Sequence, residues 1–230
     1  MLKNHSVFIH IPKTGGSWVR RVLEDNKLIK FSFSHEHADI ERINNLSGHY
    51  IGEYTRKSIL LKKNFDVFVQ KQFKFCFVRN PFSWYESLWK FLNDNKFKKF
   101  WNEKNPSRFG LKCDLWHPWK HIANYADTDF NRYMENILKN EPGYLSNLYN
   151  IYADPNKVDY IGKQENLAED LIEVLYKLDI HIPVDKIRTS DKINVSKTNA
   201  PEWDLEVKKE VFKCEYAAFK KYGYLNEVDI

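Results

Sequence analysis

Runs of apolar residues alternate along the chain with longer segments in which apolar side chains recur every three or four positions. The continuous runs predict buried parallel strands at Ser6–Ile11, Phe73–Val78 and Val158–Gly162, with a weaker alternating run at Lys27–Phe33. Helical spacing predicts helices at Ser17–Glu24, 81–93, Asp129–Leu138, Tyr144–Tyr152, Leu167–Leu178 and Asp204–Tyr222, and His35–Leu46 is predicted to be partly helical. Strands that alternate with helices predict an α/β fold with a central, mainly parallel sheet flanked by helices.

Length and composition narrow the class of protein. The chain has 230 residues, which predicts a single domain over 1–230. Hydrophobic residues make up 43% and aromatic residues 16%, so an intrinsically disordered chain is excluded. The net charge of +5 suits an anionic ligand, but no run of Lys or Arg is long enough to predict nucleic-acid binding.

The cysteines and apolar runs carry no further functional signal. The chain's cysteines, Cys76, Cys113 and Cys214, are odd in number and widely spaced, so they predict neither a disulfide framework nor a metal site. The N-terminus enters the first predicted strand directly, without a visible signal peptide. No apolar run approaches membrane-spanning length. We therefore expect a cytoplasmic location and no membrane span.

The turn after the first predicted strand has the composition of an anion site. It reads Pro-Lys-Thr-Gly-Gly-Ser, with Lys13, Thr14, Gly15, Gly16 and Ser17 in direct succession before a helix. Adjacent glycines let consecutive backbone N–H groups converge on one anion, and the helix N-terminus adds its dipole. The common nucleotide loop places its lysine after the glycines, and here the lysine precedes them. The turn predicts a phosphate or similar oxyanion.

A second basic position follows the strand Phe73–Val78. Arg79 stands at the strand's end, where its guanidinium can grip a phosphate at two points or form a structural salt bridge. Ser83 and Ser87 lie one turn apart on the next predicted helix. Because ligands of such folds bind at the carboxyl ends of parallel strands, we expect both turns at one sheet edge.

The two turns together resemble those of sulfotransferases that use 3′-phosphoadenosine 5′-phosphosulfate (PAPS), most closely the short, carbohydrate-type branch. Further segments are similar to those of bacterial members, in the same order: Pro142–Tyr149, Tyr160–Leu167, Ile193–Ser196 and Phe219–Tyr224. The resemblance implies a P-loop-like three-layer α/β sandwich. It also implies transfer of a sulfuryl group from PAPS to a hydroxyl acceptor, such as a carbohydrate, with 3′-phosphoadenosine 5′-phosphate (PAP) as product and no metal.

The resemblance assigns the donor-binding residues. Those expected to hold the 5′-phosphosulfate are Lys13, Thr14, Gly15, Gly16, Ser17 and Trp18. Arg79 and Ser87 are expected to hold the 3′-phosphate, and Ser196 and Lys197 lie where relatives bring a loop over the cofactor. Lys13 would stabilise the charge that grows on the leaving oxygen. The tryptophans Trp18, Trp84 and Trp89 either stack on adenine or pack in the core, and packing is favoured for Trp89.

An acceptor hydroxyl needs a general base, and histidine has a suitable pKa. We favour His37, with His35 and His49 as alternatives, and Glu36 could serve instead because some relatives use a carboxylate. His10 is a poor candidate because its strand position predicts packing.

Residues 96–121 are irregular and aromatic, and we predict a lid or substrate loop there.

Two rival functions stay open at this point. A small-molecule or nucleotide kinase would need a magnesium-binding acidic residue at a strand end, and none of the strong predicted strands ends in one. A non-catalytic nucleotide-binding module would keep the pocket without the chemistry, and the intact Lys13 and available histidines disfavour it.

Overall fold

The computed structural model describes residues 1–32, 36–44, 67–93, 118, 120–193 and 199–230. The chain divides into two compact units. The first combines Met1–Arg79 with Tyr149–Asn194, and the second combines Asn80–Leu148 with Val195–Ile230. The single domain expected from chain length stays a prediction, and the predicted lid at 96–121 lies almost wholly outside the described residues.

The first unit contains the sheet. Its strands are β1 (Val7–Phe8), β2 (Lys74–Val78) and β3 (Tyr160–Lys163), in the order β1-β2-β3 and all parallel. Strand β2 is the central one and is buried along its whole length, as expected for a strand covered on both faces. Together with the helices around it, this parallel sheet confirms the predicted α/β class.

Helices account for most of the remaining described chain. In order they are α1 (Gly16–Asp25), α2 (Ile40–Asn44), α3 (Pro81–Asn93), α4 (Lys120–Ala123), α5 (Phe130–Asn140), α6 (Tyr144–Tyr152), α7 (Leu167–Lys177), α8 (Val184–Arg188), α9 (Leu205–Cys214) and α10 (Tyr216–Lys221). Residues 67–70 are also helical, and short 3₁₀ turns occupy Gln164–Asn166 and Leu225–Glu227. Within the described ranges, every helix is too short or too polar to cross a membrane.

The core of the first unit forms where α1 and α7 pack against β2. Each helix buries residues at helical spacing, and β2 supplies Phe75 and Phe77. The buried residues of the two helices in this core are Trp18, Val19, Val22, Leu23, Leu171, Ile172, Val174 and Leu175. Each such side chain contributes about 1.5–3 kcal/mol on burial. This packing fixes the start of α1, and with it the Lys13–Ser17 turn.

The second unit is helical in its described part. Helix α3 begins at Pro81, which suits the first helical position, and the N–H of Phe82 donates to the Asn80 side chain at 3.0 Å. The α3 side chains Trp84, Tyr85 and Leu88 are fully buried, at exposures of 1% or less. The ring of Phe82 packs against that of Phe219 at 4.8 Å between centroids.

Two sequence-based predictions are wrong. The segment Lys27–Phe33 is not a strand over its described residues. Among them, Ile29 forms an isolated antiparallel bridge with Leu2. Lys27 instead takes a left-handed φ of 55° just after α1, and the N–H of Leu28 folds back to the carbonyl of Leu23. The final predicted helix, Asp204–Tyr222, divides into α9 and α10 at Glu215.

Candidate active site

The Lys13–Ser17 turn contains two positions, Gly15 and Gly16, where a side chain larger than hydrogen would not fit. Gly15 is the N-cap of α1 and has a φ of 83°, and Lys13 has a φ of 67°. A Cβ on Gly15 would lie 2.5 Å from Leu167 Cδ2, and one on Gly16 would lie 1.9 Å from His10 Cδ2. The second glycine is therefore required because the His10 ring lies directly against it.

The same turn presents donors. In the described part of the chain, no acceptor is bonded to the backbone N–H groups of Gly15, Gly16 and Ser17 at the start of α1. The Thr14 hydroxyl donates to the carbonyl of Ile11 at 2.9 Å and so braces the turn from within. Unbonded N–H groups at a helix N-terminus favour an anion, and the glycines leave room for it to approach.

Lys13 and Arg79 lie close together in the segments that follow two neighbouring strands, β1 and β2. Arg79 Nη1 donates to the backbone carbonyl of Lys13 at 3.3 Å. Burial, and then repulsion by the Arg79 charge, lower the pKa of Lys13 to about 8. Two like charges held close together beside a row of N–H donors repel each other, and a bound anion would relieve that repulsion. The residues present therefore fit a phosphorylated or sulfated ligand.

The backbone of Arg79 is fixed by a single phenol. The Arg79 N–H donates to the Tyr149 hydroxyl at 2.9 Å, and that hydroxyl donates to the Arg79 carbonyl at 2.8 Å. Tyr149 lies on α6 and is fully buried. Both main-chain groups of Arg79 are thus bonded where β2 ends, which sets the direction in which its guanidinium leaves the sheet.

His37 lies near the turn and is held at two atoms. Its Nδ1 is 3.1 Å from the backbone carbonyl of His10, and its own carbonyl accepts a hydrogen bond from the Tyr152 hydroxyl. The imidazoles of His10 and His37 pack edge to face, with centroids 4.5 Å apart. A carbonyl can only accept, so Nδ1 of His37 carries a hydrogen in this bond. In the neutral ring the lone pair is then on Nε2, the nitrogen suited to accept a proton.

Glu36 is also close to this cluster. Its Oε1 lies 3.3 Å from His10 Nδ1, within ion-pair distance but outside hydrogen-bond geometry, and 3.8 Å from Arg20 Nη1. The contact with His10 has the largest effect on the pKa of Glu36. Burial raises this pKa, but His10 together with the charges of His37 and Arg20 outweighs burial and lowers the pKa to about 2. A carboxylate that holds its negative charge so firmly is a weak proton acceptor at neutral pH.

The tryptophans named from the sequence pack in cores. Trp18 is 9% exposed in the core of the first unit, and its backbone N–H donates to the Gly15 carbonyl at 3.0 Å. Trp84 is fully buried in the second unit. There Trp89 Nε1 donates to the Asp127 carbonyl at 2.8 Å, and its ring contacts Phe130.

The other residues predicted for the donor and acceptor sites lie either in the second unit or outside the described residues. Ser87 is half-buried on α3, in the second unit. His35, His49, Ser196 and Lys197 lie outside the described residues. Within the described ranges, no three His, Cys, Asp or Glu side chains form a group able to hold a metal ion.

Sequence reasoning missed three residues of this site. His10 is buried as predicted, at 8% exposure, but it packs between the turn and His37 rather than only within the sheet. Tyr149 and Tyr152 lie on α6, and their hydroxyls donate hydrogen bonds to the backbone carbonyls of Arg79 and His37, respectively. The one available signal was the spacing of the two tyrosines, which puts both on one helix face three residues apart.

Comparison with known proteins identifies the family. A sequence model of a protein family, described as the sulfotransferase family, matches residues 3–218 of the chain. No curated protein and no solved structure matches the chain. Since the match spans both the Lys13–Ser17 turn and Arg79, and nearly all of the sequence, the chain belongs to the sulfotransferase family.

Proposed function

We propose that this protein transfers the sulfuryl group of PAPS to a hydroxyl acceptor, such as a carbohydrate or another hydroxylated molecule. The observation that carries the proposal is the 3.3 Å contact of Arg79 Nη1 with the Lys13 carbonyl. It joins two cationic residues in the segments that follow adjacent parallel strands, beside the N–H groups of the glycine turn. A nucleotide with phosphate on both its 3′ and 5′ positions matches two neighbouring basic positions.

The turn is the proposed seat of the 5′-phosphosulfate. The N–H groups of Gly15, Gly16 and Ser17 would donate to the 5′-phosphate oxygens, and Arg79 would bind the 3′-phosphate. Ser87, Ser196 and Lys197 remain part of the proposed donor site on the resemblance alone. The backbone N–H of Trp18 is not counted among these donors because it is already bonded to the Gly15 carbonyl, and the side chain is buried in the core.

Lys13 is the proposed charge-stabilising residue. Sulfuryl transfer breaks the bond between sulfur and the bridging oxygen, so negative charge grows on the 5′-phosphate of the departing PAP. An ammonium placed there stabilises the transition state more than the ground state. Burial strengthens that interaction, because little water screens it.

His37 is the proposed general base. Its Nε2 lone pair, set by the hydrogen bond of Nδ1 to His10, would take the proton of the acceptor hydroxyl as that oxygen bonds to sulfur. Glu36 is the weaker choice because its pKa is lowered to about 2. His35 and His49 stay as alternatives outside the described residues.

The rival kinase function has less support. Arg79 directly follows β2 and Lys163 is the last residue of β3, whereas a kinase needs a magnesium-binding carboxylate at the end of such a strand. A non-catalytic binding module stays an outcome of the experiment below.

The test is to incubate the protein with PAPS, or with ATP and Mg²⁺, and a panel of sugars and other hydroxyl acceptors, and to follow products by mass. We expect PAP and a sulfated acceptor. Lys13→Ala should lower turnover about 100-fold or more, whereas Arg79→Ala should mainly raise the KM for PAPS. Binding without transfer would support the binding module. Turnover of ATP without binding of PAPS, or full activity in Lys13→Ala, would refute the proposal.

A further inference from the structure

We propose that the last turn of α6 is a double positioning element, in which the Tyr149 hydroxyl sets Arg79 for the donor and the Tyr152 hydroxyl sets His37 for the acceptor. The inference rests on the proposed function and adds two positioning residues to it. The two tyrosines lie three residues apart, so they share one face of the helix. Both are fully buried in the first unit.

Tyr149 acts on the donor side. Its hydroxyl accepts from the Arg79 N–H and donates to the Arg79 carbonyl, so one oxygen ties both main-chain groups of that residue. Arg79 directly follows the last ladder residue of β2, where its backbone leaves the sheet. With the backbone fixed, the guanidinium reaches the Lys13 carbonyl, and this contact joins the two basic positions.

Tyr152 acts on the acceptor side. Its hydroxyl donates to the carbonyl of His37, while His37 Nδ1 bonds to the carbonyl of His10. The first bond fixes where the His37 backbone lies, and the second fixes the ring and its tautomer. A base must be held within a fraction of an ångström of its productive geometry, and neither bond alone does this.

The hydroxyl groups add only directed bonds to this arrangement. Phenylalanine at either position would fill the same space and bury the same ring. A buried hydroxyl costs free energy unless it is bonded, so each phenol is useful only through its partner. Because each partner belongs to a different half of the reaction, the two substitutions should give different kinetic changes.

The experiment compares Tyr149→Phe and Tyr152→Phe, with Tyr133→Phe as the control. Tyr133 is equally buried, but its hydroxyl has no hydrogen-bond partner among the described residues. PAP affinity is measured by calorimetry. Turnover is measured as hydrolysis of saturating PAPS, with water as the acceptor, so that no acceptor needs to be known. Melting temperatures of all variants are recorded alongside.

We expect Tyr149→Phe to raise the Kd for PAP about tenfold, with kcat within about twofold of the wild type. Tyr152→Phe should lower kcat about tenfold and leave the Kd within about twofold. Tyr133→Phe should change neither. Equal losses in both parameters for both tyrosines, or wild-type values in both, would overturn the positioning element while leaving the proposed function standing. A wild-type protein that neither binds PAP nor turns over PAPS would overturn both.

Discussion

Lys13 gives the site a pH dependence whose sign follows from its surroundings. Burial and the Arg79 charge lower its pKa to about 8, so in the ligand-free protein its positive charge is lost as pH rises through that value. A bound anion favours the charged form. The affinity for PAP should therefore fall above pH 8, with Kd rising on the order of tenfold between pH 7.5 and 9.5. Calorimetric titration with PAP at a series of pH values measures this.

Lys13→Arg is the matched control for that pH dependence. The guanidinium stays protonated throughout this range, so the variant's Kd should be nearly flat between pH 7.5 and 9.5. Parallel curves for the wild type and Lys13→Arg would assign the pH dependence to another group.

The contact of Gly16 with His10 predicts a non-additive pair of mutations. Because a Cβ on Gly16 would lie 1.9 Å from His10 Cδ2, Gly16→Ala should lower the free energy of unfolding by about 1–3 kcal/mol. Removing the imidazole makes room for that Cβ. The double variant His10→Ala/Gly16→Ala should thus lose less stability than the two single losses summed, as measured by urea denaturation. Strictly additive losses would show that the clash is relieved elsewhere.

At the scale of the elements, the break between α9 and α10 is built around one buried carboxylate. Glu215 is 1% exposed and accepts from the N–H groups of Leu145 and Ser146, at 3.0 and 2.7 Å. It also accepts from the hydroxyls of Ser146 and Tyr85, both at 2.6 Å. The carboxylate therefore satisfies the N–H donors at the start of α6, where a helix has no internal acceptors.

Glu215→Gln should destabilise the protein by about 2–3 kcal/mol. The amide nitrogen cannot accept, so at least one of these buried donors loses its partner. The control is Glu210→Gln on α9, where the carboxylate pairs with Lys213 at 2.9 Å and both side chains are largely exposed. That change should cost less than about 0.5 kcal/mol. Denaturant midpoints of the two variants measure the difference, and equal midpoints would contradict this account of Glu215.

Local sequence patterns predicted the bounds of an element well where one of its faces is apolar. They predicted the bounds poorly where a contact with a distant segment sets the end of the element. Helix α6 matches its predicted bounds, because its periodicity is local. The division at Glu215 was not visible, because the groups that the carboxylate binds lie 69 to 130 residues away. Strand β1 is shorter than the predicted Ser6–Ile11, although the Ile9 N–H still donates to the Phe75 carbonyl at 2.9 Å.

At the scale of the whole chain, the residues that the order of strands brings together could be predicted from the sequence. Lys13 and Arg79 lie in the segments that follow neighbouring parallel strands, so a rule about sheet edges was enough to expect them near each other, and Arg79 Nη1 does contact the Lys13 carbonyl. The placement of His10 against Gly16, and of two α6 hydroxyls on Arg79 and His37, depends on side-chain packing between distant segments. No spacing rule encodes those contacts.

The central claim is that the turn and Arg79 bind a nucleotide with phosphates at both its 3′ and 5′ positions. The most direct measurement is a calorimetric comparison of PAP with 5′-AMP, for the wild type and for Arg79→Ala. The wild type should bind PAP on the order of 100-fold more tightly than AMP, and Arg79→Ala should lose most of that preference. Equal binding of PAP and AMP by the wild type, or a preference for PAP unchanged in Arg79→Ala, would contradict the claim.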